Sequence, residues 1–263
     1  MIRRALLLAA AAASLGAAAC GDDGGGPPPG AAGAAGAPAC GAAPAAQAIS
    51  RLGPLQCGPT LDFTPVNAYR GELAAANDRE DAVAFINGNC SGTLVAAQSG
   101  PVVLTAGHCA RLGDRVLVVF NFEDAPDGDE LATDGTVIEQ SDAPDYALVR
   151  LDALPAVTPT ALTARPSDRL AVIQHPRGLR KVIAEGNYLQ ACPGGLFFYA
   201  DLDTLVSSSG AGVLTREGRL FGVHTDGDCA EDGGGSNRGW TAADIARASP
   251  YLQAADVEAC PDC

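Results

Sequence analysis

Residues 90–109 read CSGTLVAAQSGPVVLTAGHC. Two short apolar runs, Gly92–Ala97 and Val102–Thr105, are separated by turn residues, which predicts two β-strands. The second run exits through Ala106-Gly-His108-Cys109, and Cys90 stands at the head of the first. A histidine and a cysteine side by side at a strand end, with the cysteine tied back to Cys90, would hold the imidazole of His108 rigidly.

The same pattern continues outward from this stretch. Ala82–Ile86, Arg115–Phe120, Tyr146–Leu151, Leu170–Gln174, Gly212–Thr215 and Leu220–Thr225 are short runs rich in Val, Leu, Ile, Phe and Thr. Gly, Pro, Asp and Asn lie between them. Many short strands at this spacing predict an all-β sandwich or barrel rather than a sheet alternating with helices. One helix is expected late, from Thr241 to Ala255, with an interruption at Pro250. No internal repeat is visible in the letters.

Composition sets the outer bounds. The chain has 263 residues, 31 acidic and 17 basic, for a net charge of −14. Nucleic-acid binders and readers of anionic membranes need a basic face, so both classes are excluded. Lys181 is the only lysine. Residues 1–20 combine Arg3 and Arg4, an apolar run from Ala5 to Leu15 and small residues before Cys20. That is the layout of a secretory signal peptide, too short to span a bilayer. Cys20 after Ala17-Ala-Ala19 is similar to a bacterial lipoprotein cleavage site, with Ala17 where that pattern usually has leucine. Lipidation of Cys20 would tether the protein to a membrane as a cell-envelope lipoprotein; simple cleavage would release it, and the mass of the mature N-terminus separates the two. Within residues 21–50, Gly, Pro and Ala make up 24 of 30 positions, so 21–54 is expected to be a disordered tether. The folded domain is then 55–263.

Nine cysteines in an exported chain imply disulfides. Setting Cys20 aside leaves an even number. Cys192 and Cys229, both in the second half, are a candidate pair, and Cys40, Cys57, Cys260 and Cys263 near the ends stay unassigned. Cys260-Pro-Asp-Cys263 is a lone C-x-x-C with no second pair at ligand spacing, so no metal site is expected from it.

Two further motifs join His108. One is Asp145-Tyr-Ala-Leu-Val-Arg-Leu151; the other is Ser207-Ser-Ser209-Gly-Ala-Gly-Val213, which leads into Leu220-Phe-Gly-Val-His-Thr-Asp-Gly227. A serine hydroxyl is a poor nucleophile until a neighbouring imidazole takes its proton, and a carboxylate must then fix the imidazole tautomer. A serine before glycine on a small-residue turn admits substrate and offers backbone N–H groups to an oxyanion. With the three motifs in this order, the chain resembles the secreted bacterial branch of the chymotrypsin/trypsin-like serine endopeptidases. That family shows T-A-G-H-C, D-x-A-L-V-x-L and S-G-x-x-V in the same sequence.

The resemblance implies an all-β fold of two antiparallel β-barrels with a C-terminal helix. The first barrel would cover about 80–155, the second about 160–240 and the helix about 241–255. It implies His108 as general base, Asp145 as its orienting carboxylate and Ser209 as nucleophile, with the backbone N–H groups of Ser207 and Ser209 as the oxyanion hole. Peptide bonds would be hydrolysed through an acyl-enzyme, without cofactor, by a monomer acting on proteins or peptides. Asp142 competes with Asp145 and Ser208 with Ser209, but only Ser209 precedes Gly210. His175, in Gln-His-Pro-Arg-Gly, reads as a loop residue.

The family usually has glycine at the position of Ser207. A residue with a Cβ holds the required backbone less easily, and losing one donor costs about 3 kcal/mol, or ~10²-fold in rate. The expectation is a slower or substrate-triggered enzyme, with a catalytically impaired binding protein of the same fold as the rival. Ser208 stands where zymogens place an aspartate that captures a freed N-terminus, so competence without such a clip is expected. For the substrate pocket, Asp203 matches the base of arginine/lysine-specific relatives or else caps a turn. His224 stands where glutamate-specific relatives place a histidine. Thr225, Gly227 and Gly239 complete the wall. Asp226, Asp228, Glu231 and Asp232 tilt the expectation to basic or small side chains. Residues 121–145 hold nine acidic and no basic residues; their irregular spacing favours a solvated loop over a calcium site. Trp240 is expected in the core or the pocket wall.

Overall fold

In the computed structural model the described residues are Cys40, 56–125, 127–232 and 234–260, all within one compact unit spanning 35–263. The expected signal peptide with Cys20, the expected tether apart from Cys40, and Cys263 lie outside them.

Twelve strands form two barrels. The first six are β1 (Val83–Ile86), β2 (Cys90–Val95), β3 (Val102–Thr105), β4 (Arg115–Phe120), β5 (Leu131–Asp142) and β6 (Asp145–Leu151). They pair in the order β1-β2-β3-β6-β5-β4, and β4 closes on β1. The next six are β7 (Arg169–Gln174), β8 (Val182–Ala191), β9 (Leu196–Ala200), β10 (Gly212–Thr215), β11 (Leu220–Asp226) and β12 (Asn237–Thr241). Their order is β7-β8-β9-β12-β11-β10, with β10 closing on β7. The second barrel therefore repeats the strand plan of the first.

The sequence pattern explains which strands face outward and which lie at the seam. In β4, Val116, Val118 and Phe120 point inward at period two while Arg115 and Leu117 are exposed. In β6 every residue from Tyr146 to Val149 is buried. Ala147 and Val149 fill the first barrel, whereas Tyr146 and Leu148 join a cluster that includes Leu104 of β3 and Leu214, Val223 and Trp240 of the second barrel. Val83 of β1 and Val95 of β2 join the same shared cluster, so β1, β2, β3 and β6 all line the core between the barrels, and the ends of β3 and β6 carry His108 and Asp145.

The late helix, α1, runs only over Ala242–Ala248. Thr241 caps it, its hydroxyl accepting the Asp244 N–H at 3.1 Å. Ser249 precedes Pro250 and takes an extended conformation (φ −82°, ψ 130°), as pre-proline residues do. Ala254–Asp256 is a separate 3₁₀ turn, so the helix expected through Ala255 stops early. The segment before the first barrel packs along the second: Thr64–Pro65 pairs with β8.

Cys90 and Cys109 are bridged as expected. Cys192 and Cys229 are not bridged to each other. Cys192 pairs with Cys40 and Cys229 with Cys57. In the β9–β12 ladder Leu196 faces Trp240 and Tyr199 faces Asn237. That register puts the Cys192 turn and the Cys229 loop at opposite ends of the ladder, where each meets the N-terminal segment instead. Cys260 is also disulfide-bonded.

Candidate active site

His108 sits on the 3₁₀ turn Gly107–Cys109 that follows β3. A Cβ on Gly107 would lie 2.1 Å from the Ser141 carbonyl oxygen, so only glycine lets the β5–β6 turn ride this close. That turn delivers Asp145. Its Oδ2 is 2.7 Å from His108 Nδ1, and its Oδ1 accepts the His108 backbone N–H at 3.0 Å. The carboxylate is the acceptor, which assigns the ring proton to Nδ1 and leaves the Nε2 lone pair to take a proton. Asp142 turns elsewhere, accepting from Gln140 Nε2 at 2.8 Å. Burial pushes the His108 pKa down, but the bond and charge of Asp145, with the charge of Asp226, outweigh it and hold the group above 6.5.

Ser209 lies half-buried between β9 and β10, on a turn pressed against the first barrel. Its carbonyl accepts the Ser91 N–H at 2.9 Å. Cys109 Sγ, in the residue after His108, contacts the same oxygen at 3.7 Å. Gly210 has φ +86°, and a Cβ there would meet Thr105 Oγ1 at 2.1 Å and the Ser91 carbonyl at 2.2 Å. The glycine after Ser209 is what brings this turn against the His108 strand. Ser208 is fully buried, and its hydroxyl accepts the Leu205 N–H at 3.0 Å, which removes it as a rival nucleophile.

Ser207 holds φ +75°, a left-handed conformation costing a residue with a Cβ roughly 1–2 kcal/mol. Both flanking peptides are pinned. The Val206 carbonyl accepts the Arg177 N–H at 2.6 Å, and the Ser207 carbonyl accepts the Ser91 hydroxyl at 3.0 Å. Across a trans peptide the N–H points opposite to the carbonyl, so the Ser207 N–H faces away from Arg177. Among the described residues, the N–H groups of Ser208 and Gly210 are bonded to Leu205 and His224, whereas those of Ser207 and Ser209 donate to no protein group. Ser207 thus holds the left-handed conformation that glycine would adopt.

A family model described as a trypsin-like peptidase domain matches residues 90–223, about half of the chain. The chain belongs to the trypsin-like peptidase family. Its likeness to solved structures is one of fold. The serine endoprotease from Yersinia pestis matches at 16% identity and TM-score 0.55, over 68% of this chain and 65% of that one. This chain thus covers a little under two thirds of that protein. The active form of the Rv3671c protease from M. tuberculosis matches at 18% identity and TM-score 0.55, over 75% of this chain and 90% of that one. An inactive form of the Rv3671c protease gives 18% and 0.53 over 66% and 90%. No curated protein matches the chain significantly.

In this trypsin-like peptidase the pocket residues expected from sequence divide. His224, Thr225 and Gly239 come together, with Gly239 opposite His224 on adjacent strands, and Gly227 follows the end of β11. A Cβ on Gly239 would lie 2.1 Å from the Val223 carbonyl. His224 is buried, its Nδ1 hydrogen-bonded to the Tyr199 hydroxyl, and burial pushes its pKa down to about 4, so the ring is neutral. Trp240 packs into the core between barrels. Asp203 does not join them. Fully buried, it accepts the Cys57 N–H on Oδ1 at 2.6 Å and the Asp62 N–H on Oδ2 at 2.5 Å. Both oxygens hold the N-terminal segment, which corrects its assignment to the pocket base.

The acidic segment is not a purely solvated loop either. Glu123 is fully buried, 2.6 Å from the ammonium of Lys181, which also pairs with Glu80 and donates to the Glu80 carbonyl at 2.8 Å. Glu80, Glu123 and Asp127 offer oxygens within 4.8 Å of one another, and lysine is the cation for two of them. His175 is likewise interior, 5.1 Å from the ring of Phe85 and 5.8 Å from that of Phe122. Sequence reasoning passed over Ser91 and Arg177, since nothing in their immediate letters signals a partner so far away along the chain.

Proposed function

We propose that the protein is an exported serine endopeptidase that hydrolyses peptide bonds through an acyl-enzyme on Ser209. His108 Nε2 takes the Ser209 hydroxyl proton as Oγ attacks the substrate carbonyl. Asp145 stays ionised, fixes the ring and stabilises the imidazolium. The developing oxyanion is met by the N–H groups of Ser207 and Ser209, each such donor being worth ~10²-fold in rate or more. Collapse expels the amine with the proton from His108, and water repeats the cycle. The observation that carries this reading is the pair of uncommitted N–H donors flanking Ser208, on a turn packed beside the Asp145-bonded His108. The same observation removes the motive for the impaired-binder reading. Export is supported by the disulfides, which persist in oxidising compartments. Competence without an N-terminal clip is supported by Ser208, which is buried, carries no carboxylate to pair with a freed N-terminus, and has its hydroxyl already bonded to the Leu205 N–H. Asp203 is also withdrawn from any basic-residue preference, leaving His224, Thr225 and Asp226 as the polar side chains on the pocket strand.

The test is labelling of the mature, oxidised protein by a fluorophosphonate probe. Wild type should label, and Ser209→Ala should not. Absence of labelling in folded wild type would overturn the proposal.

A further inference from the structure

We infer that Ser91 is a positioning residue that allows a serine, in place of glycine, to form the oxyanion hole. The inference rests on the peptidase reading above and concerns how its hole is held. Ser91 is fully buried on β2, in the first barrel. Its hydroxyl accepts the His175 backbone N–H at 3.0 Å and donates to the Ser207 carbonyl at 3.0 Å. Its own N–H holds the Ser209 carbonyl at 2.9 Å, and its carbonyl is held by the Thr105 hydroxyl at 2.7 Å. One residue thus grips the carbonyls on both sides of Ser208, and Thr105 in turn fixes that residue to β3.

The conformation at stake is φ +75° at Ser207. Glycine reaches that region freely, whereas serine must be held there. Two peptides flank Ser207, and each has one external restraint. Arg177 pins the Val206 carbonyl, and the Ser91 hydroxyl pins the Ser207 carbonyl. Without the hydroxyl, the peptide between Ser207 and Ser208 loses its buried donor and ψ of Ser207 is no longer fixed. The residue can then relax out of the left-handed region, taking its N–H away from the oxyanion. Ser91 touches neither substrate nor reacting atoms in this scheme; it acts through Ser207.

The requirement for Ser91 should therefore depend on what stands at 207. The experiment compares second-order fluorophosphonate inactivation rates of wild type, Ser91→Ala, Ser207→Gly and the double variant, with near-UV circular dichroism as the check on folding. Ser91→Ala should slow inactivation by about 10- to 100-fold in the wild-type background, since one hole donor is weakened. In the Ser207→Gly background the same substitution should slow it by about threefold or less, because glycine needs no restraint. A loss of equal size in both backgrounds would make Ser91 merely structural, and no loss in either would remove its role; each overturns the inference. If Ser91→Ala does not fold, Ser91→Cys, which keeps the volume and replaces the hydroxyl by a weak donor, carries the same comparison. Wild type that fails to label defeats the peptidase reading itself, whereas wild type that labels with equal losses in both backgrounds defeats only the role of Ser91.

Discussion

His108 answers to two carboxylates, and only one of them is bonded to it. Asp145 fixes the ring through Nδ1; Asp226, at the end of β11, acts through its charge alone and itself pairs with Arg238 Nε at 3.3 Å. In the proposed mechanism, His108 holding a proton below its pKa cannot accept one from Ser209, so activity is expected to fall as pH drops through that value. Both carboxylates raise the pKa above 6.5 against the opposing effect of burial, which places the acid limb higher than an isolated histidine would. Asp226→Asn removes one raising charge and leaves Arg238 without its partner. The acid limb of the inactivation rate should then move to lower pH, while the rate on the plateau changes little. A limb that stays in place or moves upward would mean that Asp226 does not act on His108. The strain at Ser207 belongs to the same scale. Roughly 1–2 kcal/mol of left-handed backbone is comparable to what two buried hydrogen bonds, at about 1 kcal/mol each, can offset.

The segment from Gln56 to Asp62 behaves as a strap across the second barrel, bridged at Cys57 to Cys229, hydrogen-bonded from Gly58 N–H to the Ala230 carbonyl at 3.1 Å, and capped by Asp203. Asp203→Asn keeps one acceptor oxygen but turns an N–H donor toward the other amide. It should lower stability by about 2 kcal/mol, within the range for hydrogen bonds to a charged group, and this is readable as a lower urea midpoint. Relative rates on chromogenic peptides ending in Lys, Arg, Glu, Ala or Phe should keep their order. A selective collapse of the Lys and Arg substrates would return Asp203 to the pocket. Strands of this kind were unevenly legible in the letters. Val102–Thr105, Arg115–Phe120 and Gly212–Thr215 stand at their expected bounds because each is a pure apolar or alternating run between turn residues. Leu131–Asp142 and Asn237–Thr241 escaped notice because they are rich in Asp, Glu, Asn and Arg and owe their conformation to ladder partners. His108, Asp145 and Ser209 stood out as candidates because each lies in a short motif that the resemblance to the family makes recognisable. Asp203 stayed open between pocket base and turn cap because its partners, Cys57 and Asp62, lie far back along the chain.

Two barrels of one strand plan meet across a shared apolar core, and the molecule adds polar ties between them. One of these, fully buried, is the chain's single lysine. Lys181 at the entrance to β8 pairs with Glu80, just before β1, and with Glu123, just after β4. One ammonium neutralises one carboxylate. Burial pushes Glu80 up to about 8 although Lys181 opposes it. At Glu123 burial also pushes upward, but the Lys181 ammonium prevails and holds the carboxyl low. The folded state therefore binds the Glu80 proton more tightly than the unfolded chain, whose carboxyl titrates near 4.5. That contribution is whole below the unfolded value and is lost as pH rises through about 8. Lys181→Met strips the cation and leaves two buried carboxylates to repel each other or to take up protons. Breaking a buried pair in this way costs on the order of 3–5 kcal/mol. The cost should itself depend on pH, because both carboxyls can be protonated cheaply near their unfolded pKa and only at rising expense above it. Urea midpoints of wild type and Lys181→Met should accordingly lie closer together at about pH 5 than at about pH 9. Glu123→Gln placed in the Lys181→Met background should narrow the gap at the higher pH, since one of the two stranded charges is then gone. A gap of the same size at both pH values would show that Lys181 contributes by packing its hydrocarbon stem between the barrels rather than by its charge.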